Sequence, residues 1–484
     1  MIRILGSPKR LCDGITRRDW LMASSLSLGI SANPLKAAAP AVRQRGFGAA
    51  RNVILLYPFG GPSHIDTFDT KPDAPAEIRG SFKTIQSRLP GCNISEYLPL
   101  TAGIMDRVTV LRSLTHPWNF HGMQWATTGL PAGSIPHEET QFRPDHWPFV
   151  GSVVHRLSQH KQSGIPNNVM LPWMLSKNRT KIPYARPHAA WLGSAYEPVW
   201  GEFAGEATRE VVRTSDGPAE SVRDPYLGIT PSGRFSIAPN TELPSEMTLD
   251  RLNGRKSLLE QFDANSRRAE TRLARNHEAN QAHGFGLLQS PRVRTALDLG
   301  REPDRLRNAY GMTLFGQGCL QARRLVESGC QFVTVIWDEF KQLNTGWDTH
   351  VDHVNRMKNE LLPGFDSAFS SLVIDLEDRG MLADTLVLVL CEMGRTPRME
   401  GNGRGHWGRA YTNLMAGAGV ARGHVIGKTD KIGAEVIDRP LSAKDVLATT
   451  YHLCGFDPHT MLPDSQNRPV ALLPYGEVIK EVLA

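Results

Sequence analysis

The chain has 484 residues, 40% of them hydrophobic and 7% aromatic, which fits a folded soluble protein of one large domain with insertions or of two domains. Its formal charge is +6, but four of those charges fall within residues 1–39, and the near-neutral remainder excludes nucleic-acid binding driven by charge. Six cysteines without a Cys-x-x-Cys spacing exclude a thiolate metal site of the usual type.

At the N-terminus, Thr16-Arg17-Arg18-Asp19-Trp20-Leu21 resembles a twin-arginine export signal. A mildly apolar stretch from Leu21 to Ala32 follows, too short to span a bilayer, and Ala37-Ala38-Ala39 offers a small-residue cleavage site. An amphipathic helix is the plainer alternative. The order of charge, apolar segment and cleavage site predicts a signal over 1–39. The mature domain is then 40–484, exported to the periplasm or another extracytoplasmic space, without a stable membrane span. Cys319, Cys330, Cys391 and Cys454 lie in apolar contexts and read as buried small hydrophobes.

Asn52 to Tyr57 is a continuous apolar run that suits a strand buried on both faces, and Arg107 to Arg112 repeats it more weakly. Residues about 130–248, rich in Pro, Gly, Trp and Arg, read as a loop-rich insertion over the sheet edge. Residues 249–283 are polar and predict an exposed helical segment. Arg305–Ser328 and His353–Arg379 have helical spacing and stop at Gly329 and Gly380, with a break or kink at Pro363. Each is followed by a strand-like run, Cys330–Trp337 and Thr385–Cys391. This alternation predicts an α/β fold with functional loops beyond the carboxyl ends of the strands.

Acid and imidazole groups recur at those ends. Asp348 and His350 straddle one residue in Gly346-Trp347-Asp348-Thr349-His350, and on a strand they share a face. His353 is a further donor. The alternative is that Asp348 caps the helix that follows. Glu392 closes an apolar strand, where a carboxylate is costly unless paired. Arg395 offers it a salt bridge or, functionally, holds an anionic ester oxygen. His406 follows the flexible run Gly401-Asn402-Gly403-Arg404-Gly405. Ser63, His64 and Asp66 follow the first strand and form either a ligand group or a capped turn. His116 and His121 flank Pro117-Trp118-Asn119-Phe120. Imidazoles mixed with carboxylates suit Zn, Mn, Ca or Mg, with Zn and Mn favoured as imidazoles accumulate.

Gly60 to Pro72 (GGPSHIDTFDTKP), Gly346 to His350, Glu392 to Pro397 (EMGRTP) and Gly405 to Gly408 (GHWG), together with the signal, resemble the domain-of-unknown-function 1501 family of the sulfatase and alkaline phosphatase superfamily. The resemblance covers essentially the whole chain. It implies an alkaline-phosphatase-like mixed, mostly parallel sheet sandwiched between helices, with a divalent metal at the strand ends. Asp348, His350, Glu392 and His406 would fill its ligand slots. The first-strand acid is missing from its place, and His64 or Asp66 would substitute. The superfamily's nucleophile slot falls on Asn119, which is not a nucleophile. Hydrolysis of a sulfate or phosphate ester would then need metal-activated water, with His116 or His121 as further ligand or general acid. An anionic ester, such as a sulfated polysaccharide, is the implied substrate. The other reading is a non-catalytic binding or assembly protein that has lost the nucleophile. Trp118, Trp125, Trp147, Trp173, Trp191 and Trp200 would stack on sugars or pack the insertion's own core.

Overall fold

The computed structural model describes residues 45–131, 134–139, 145–158, 164–175, 187–214, 218–237 and 290–484. The chain divides into two units, Met1–Arg45 and Gly46–Ala484, and the second is described below. The expected signal at 1–39 and the polar segment at 249–283 lie outside the described residues.

The central sheet is built from nine strands: β1 (Asn52–Pro58), β2 (Val108–Leu114), β3 (Asn168–Leu171), β4 (Val199–Ala204), β5 (Arg234–Ile237), β6 (Phe332–Trp337), β7 (Thr385–Val389), β8 (Tyr411–Ala416) and β9 (His424–Ile426). Their spatial order is β9-β2-β8-β7-β1-β6-β3-β4-β5. From β7 through β4 neighbouring strands run parallel, and β9 is parallel to β2. The β7–β8, β8–β2 and β4–β5 pairs are antiparallel. The sheet is therefore mixed and mostly parallel, as the sequence predicts.

The apolar runs are continuous because both faces are covered. Ile54 and Leu56 of β1 join one core cluster with Val333, Val335, Leu320 and Phe369. Val53, Leu55 and Tyr57 point the other way, into a second cluster with Leu386, Val446 and Tyr451. This is the two-residue period of a strand, read on opposite faces. Strand β7 ends at Val389, short of the predicted Cys391, because the Cys391 amide donates to the Asn413 side chain at 3.1 Å and leaves the ladder.

The helices differ from expectation in two places. The run 305–328 splits into α1 (Asp304–Tyr310) and α2 (Leu314–Glu327). Gly311 turns the chain with φ +88°, and the Thr313 hydroxyl caps α2 by accepting from the Gly316 N–H. The run 353–379 is α3 (His353–Arg356), a π-helical turn at Met357–Leu361, and α4 (Leu362–Asp378). Pro363 falls in the first turn of α4, where its missing N–H costs no bond, and the widened turn before it absorbs the irregularity. The insertion is also corrected. Its short apolar runs supply β3, β4 and β5, so it extends the sheet rather than only covering its edge. Of its tryptophans, Trp173 and Trp191 are buried. The five described cysteines are free, and Cys92, Cys319, Cys330 and Cys391 are buried. Among the described residues, no helix is long and apolar enough to cross a membrane.

Candidate metal centre

Strands β6, β1 and β7 run parallel, so their carboxyl ends and the loops they feed share one edge of the sheet. After β1 the chain turns through Gly60 (φ +111°). A Cβ there would stand 2.4 Å from the Asp348 nitrogen, so only glycine lets the β1 end lie against the loop carrying Asp348. Gly403 does the same on the other side, where a Cβ would meet the His350 carbonyl oxygen at 1.8 Å. The glycine-rich loop is thereby pressed onto Thr349 and His350. A two-residue strand pair, Gly394–Arg395 against His406–Trp407, then returns His406 to the same place.

Asp348 is the hub. Its Oδ2 lies 3.3 Å from His121 Nε2, and its Oδ1 lies 3.2 Å from His406 Nε2 and 3.3 Å from His350 Nε2. The Arg395 guanidinium donates to the same Oδ1. His121 Nδ1 is 3.3 Å from Glu392 Oε1, which also accepts the Gly60 N–H at 2.8 Å. The His121 ring stacks on Phe59 and meets His406 edge-on at 4.5 Å between centroids. Asp348 and Glu392 are buried; His350 is the most open, its side chain 35% exposed. Asp348 and His350 stand on a loop rather than the strand envisaged.

The electrostatics are lopsided. Burial raises the Asp348 pKa, but Arg395 and then His121 outweigh it and hold the carboxyl well below its usual range. Burial also disfavours charge on His121, yet Asp348 and Glu392 raise its pKa to about 10. Burial lowers His406, and His350 is pushed down to about 4. Among the described residues Glu392 forms an ion pair with His121 and with no lysine or arginine, and the Tyr57 hydroxyl lies against its carboxylate. The Arg395 guanidinium meets Asp348, and the second carboxylate, Glu392, faces His121 instead.

The donors fit a divalent ion. One ligand atom each from His121, Asp348 and His406 lies within 4.8 Å of the others. Ligands at ~2.1 Å in tetrahedral array stand about 3.4 Å apart, close to the 3.2 and 3.3 Å found here. The Asn119 carbonyl accepts from His406 Nδ1 at 3.1 Å, so the lone pair of that ring is on Nε2, facing Asp348. Two acceptors facing each other at this distance are what an ion between them would reconcile.

Other predicted residues are placed elsewhere. His64 Nε2 donates to the Gly433 carbonyl at 2.7 Å. Asp66 accepts from Ser63 at 2.6 Å, His353 at 3.0 Å and Arg404 at 2.8 Å. No hydrogen bond or ion pair links His64 or Asp66 to Asp348, His350 or His406, which corrects their assignment as ligands of that group. His116 uses both nitrogens locally, donating from Nε2 to the Glu392 carbonyl at 2.7 Å and accepting the Trp118 N–H at 3.2 Å. It is not free to act as an acid. Asn119 accepts the Gly408 N–H on Oδ1 at 2.8 Å. Arg395 is fully buried, and besides Asp348 it donates to the carbonyls of Gly60, Gly61 and Arg404. Its expected grip on a substrate anion gives way to a role as the counter-ion of Asp348. His353 turns away to Asp66 and, at 2.7 Å, to Thr349. Two residues were missed. Arg404 neutralises Asp66, and buried Arg356 donates to the Asp348 carbonyl at 3.1 Å and to that of Asn344 at 2.9 Å, clamping the loop. Arg404 stands out only as an arginine in a glycine-rich loop, and Arg356, with His353 and Glu360 near it in sequence, carries no signal.

No curated protein matches the chain significantly. Several solved structures match it at low identity. The PsFucS1 sulfatase from Pseudoalteromonas sp. is 10% identical, over 84% of this chain and 68% of that one, with a TM-score of 0.36. The lipoteichoic acid synthase LtaP from Listeria monocytogenes is 8% identical over 90% and 78%, with a TM-score of 0.36. The phosphonate monoester hydrolase SpPMH from Silicibacter pomeroyi is 10% identical over 89% and 76%, with a TM-score of 0.37. The family model described as "Protein of unknown function (DUF1501)" matches residues 50–483, and the chain belongs to that family.

Proposed function

We propose that the chain is an exported, metal-dependent hydrolase of sulfate or phosphate esters that relies on activated water rather than a covalent nucleophile. The observation that carries this reading is the convergence of His121, Asp348 and His406, whose donor atoms lie within 4.8 Å of one another around a buried carboxylate. A divalent ion held by these three groups would supply Lewis acidity, polarising an ester oxygen and lowering the pKa of a water molecule. The donor set is rich in imidazole, and its one carboxylate is already shared with Arg395, so Zn or Mn fits better than Ca or Mg. His350 stands on the open side and is neutral near pH 7. With its Nε2 turned to Asp348, Nδ1 is the atom left to take a proton from the attacking water. Arg395 and Arg356 hold the Asp348 carboxylate and its loop rigid, so the donors need little rearrangement. No Ser, Thr or Cys side chain among the described residues hydrogen-bonds to Asp348, His350 or His406, which favours water over a covalent intermediate. The substrate class in this reading is an anionic ester, as on a sulfated polysaccharide. Export rests on the N-terminal sequence.

A second reading, a binding or assembly protein on the same scaffold, is favoured by the hydrogen bond that commits the Asn119 side chain to Gly408. Metal analysis of purified protein, followed by a panel of sulfate and phosphate esters with wild type, Asp348→Ala and His406→Ala, separates the two. Bound metal with turnover lost in both variants supports the hydrolase. Bound metal with no turnover on any ester supports the binding protein. Protein free of metal after exposure to Zn and Mn, with no turnover, overturns the hydrolase and leaves a structural role only.

A further inference from the structure

Glu392 was expected among the metal ligands, and its surroundings give it a different task. Its Oε1 already receives two donors, the Gly60 N–H at 2.8 Å and His121 Nδ1 at 3.3 Å. It stands behind the His121 ring, on the side away from Asp348, since Nδ1 and Nε2 face the two carboxylates separately. The cluster whose donor atoms all lie within 4.8 Å holds His121 but not Glu392. Its backbone is fixed too, because the Glu392 carbonyl accepts from His116 Nε2 at 2.7 Å. Phe59 stacks on the same His121 ring at 5.0 Å, closing one face of it.

We infer that Glu392 is a positioning residue: it accepts the Nδ1 proton of His121, fixing the tautomer and aiming the Nε2 lone pair at the ion. This rests on the metal-centre reading and refines it. A carboxylate that holds the far nitrogen of a ligating imidazole locks the ring's rotation and raises its basicity, and losing such a partner typically weakens metal affinity ~10- to 100-fold. A ligand proper would be different, because removing it changes the number of donors on the ion.

The test is chelator-competition measurement of Zn affinity for wild type, Glu392→Gln and Glu392→Asp, with the visible spectrum of the Co²⁺-substituted forms. Glu392→Asp keeps the buried charge but withdraws the carboxylate by one methylene from His121. The expected result is an affinity lower by ~10- to 100-fold in both variants, with a Co²⁺ spectrum that keeps the wild-type coordination number. Unchanged affinity in folded Glu392→Asp and Glu392→Gln overturns the assignment, as does a Co²⁺ spectrum that loses an oxygen ligand. Either result leaves the metal centre standing. Failure of wild type to bind Zn or Co²⁺ at all would instead sink the metal-centre reading itself. Should Glu392→Gln not fold, judged by circular dichroism, Glu392→Asp carries the comparison alone.

Discussion

Asp66 and Asp348 are both buried, both paired with a buried arginine and both within reach of histidine, yet they form opposite kinds of site. Around Asp66 the ledger closes: Arg404, His353 and the Ser63 hydroxyl all bond to it, and one guanidinium meets one carboxylate. The result ties the loop after β1 to the start of α3 and to the glycine-rich loop. Around Asp348 three imidazoles, His121, His350 and His406, crowd one carboxylate, and a second carboxylate, Glu392, stands behind His121. Matched charges make a strut; imidazole acceptors crowded beside a partly open histidine are what the proposed cation would need.

The sharpest way to break this contrast is to remove one partner on each side. Arg404→Met leaves Asp66 as an uncompensated buried charge, and Asp348→Ala leaves Arg395 in the same state; each should cost ~3–5 kcal/mol of stability, read from urea unfolding of metal-free protein. The two should differ in metal content, with folded Arg404→Met retaining the ion and Asp348→Ala losing it. Loss of metal in both would mean that the Asp66 cluster is part of the centre.

Acid should distinguish the two clusters next. Burial raises the Asp66 pKa, but Arg404 and then His353 bring it down, well below that of an ordinary aspartate. A depressed folded value means that Asp66 contributes stability above its unfolded pKa of ~3.9 and loses it as pH falls through the folded value. Asp66→Asn should therefore be less stable than wild type at pH 7, by ~2–3 kcal/mol, and the gap should narrow as pH falls below about 4. A gap that stays constant to pH 2 would rule out ionised Asp66 as its source. The centre behaves in the reverse sense. The His121 pKa is raised to about 10 in the ion-free chain, so its imidazolium stabilises the fold fully below ~6.5 and is lost as pH rises through 10. An ion taking Nε2 must displace that proton. Zn affinity should rise ~tenfold per pH unit between about pH 7 and 9, and a flat profile in chelator competition would remove the imidazolium from the picture.

Much of this was legible before the structure. The apolar runs at 52–57 and 385–391 announce strands buried on both faces; Asp348 and His350 are paired by their one-residue spacing, though on a loop and not a strand, and His406 by its glycine-rich loop. Counter-ions were harder to assign. Sequence proximity of Arg395 to Glu392 suggested that pair, whereas Arg395 reaches across to Asp348, because long-range packing and not chain distance sets which charges meet. His64 and Asp66 sit beside a motif that looks like a ligand group, and only the arrival of Arg404 and His353 from distant loops reveals a strut. The insertion hid its strands because β3, Asn168–Leu171, is only four residues long, too short for a periodic signal.

The smallest expected effect concerns Asn119, at the slot where the superfamily resemblance would place a nucleophile. Two of its groups matter, and only one is in the side chain. The backbone carbonyl holds His406 Nδ1, and any residue supplies that; the side-chain Oδ1 holds the Gly408 N–H. Asn119→Ala should therefore lose one hydrogen bond at an exposed position, ~1 kcal/mol, with metal affinity unchanged and any ester turnover lowered less than tenfold. Asn119→Ser should likewise add no burst phase, because the imidazoles bonded around it are engaged: His406 Nδ1 donates to the residue's own carbonyl, His121 is held between Asp348 and Glu392, and His116 is bonded to backbone at both nitrogens. A burst of product in Asn119→Ser, seen in rapid-quench kinetics, would show that the centre can run a covalent route after all and would move the boundary between strut and site to include His116.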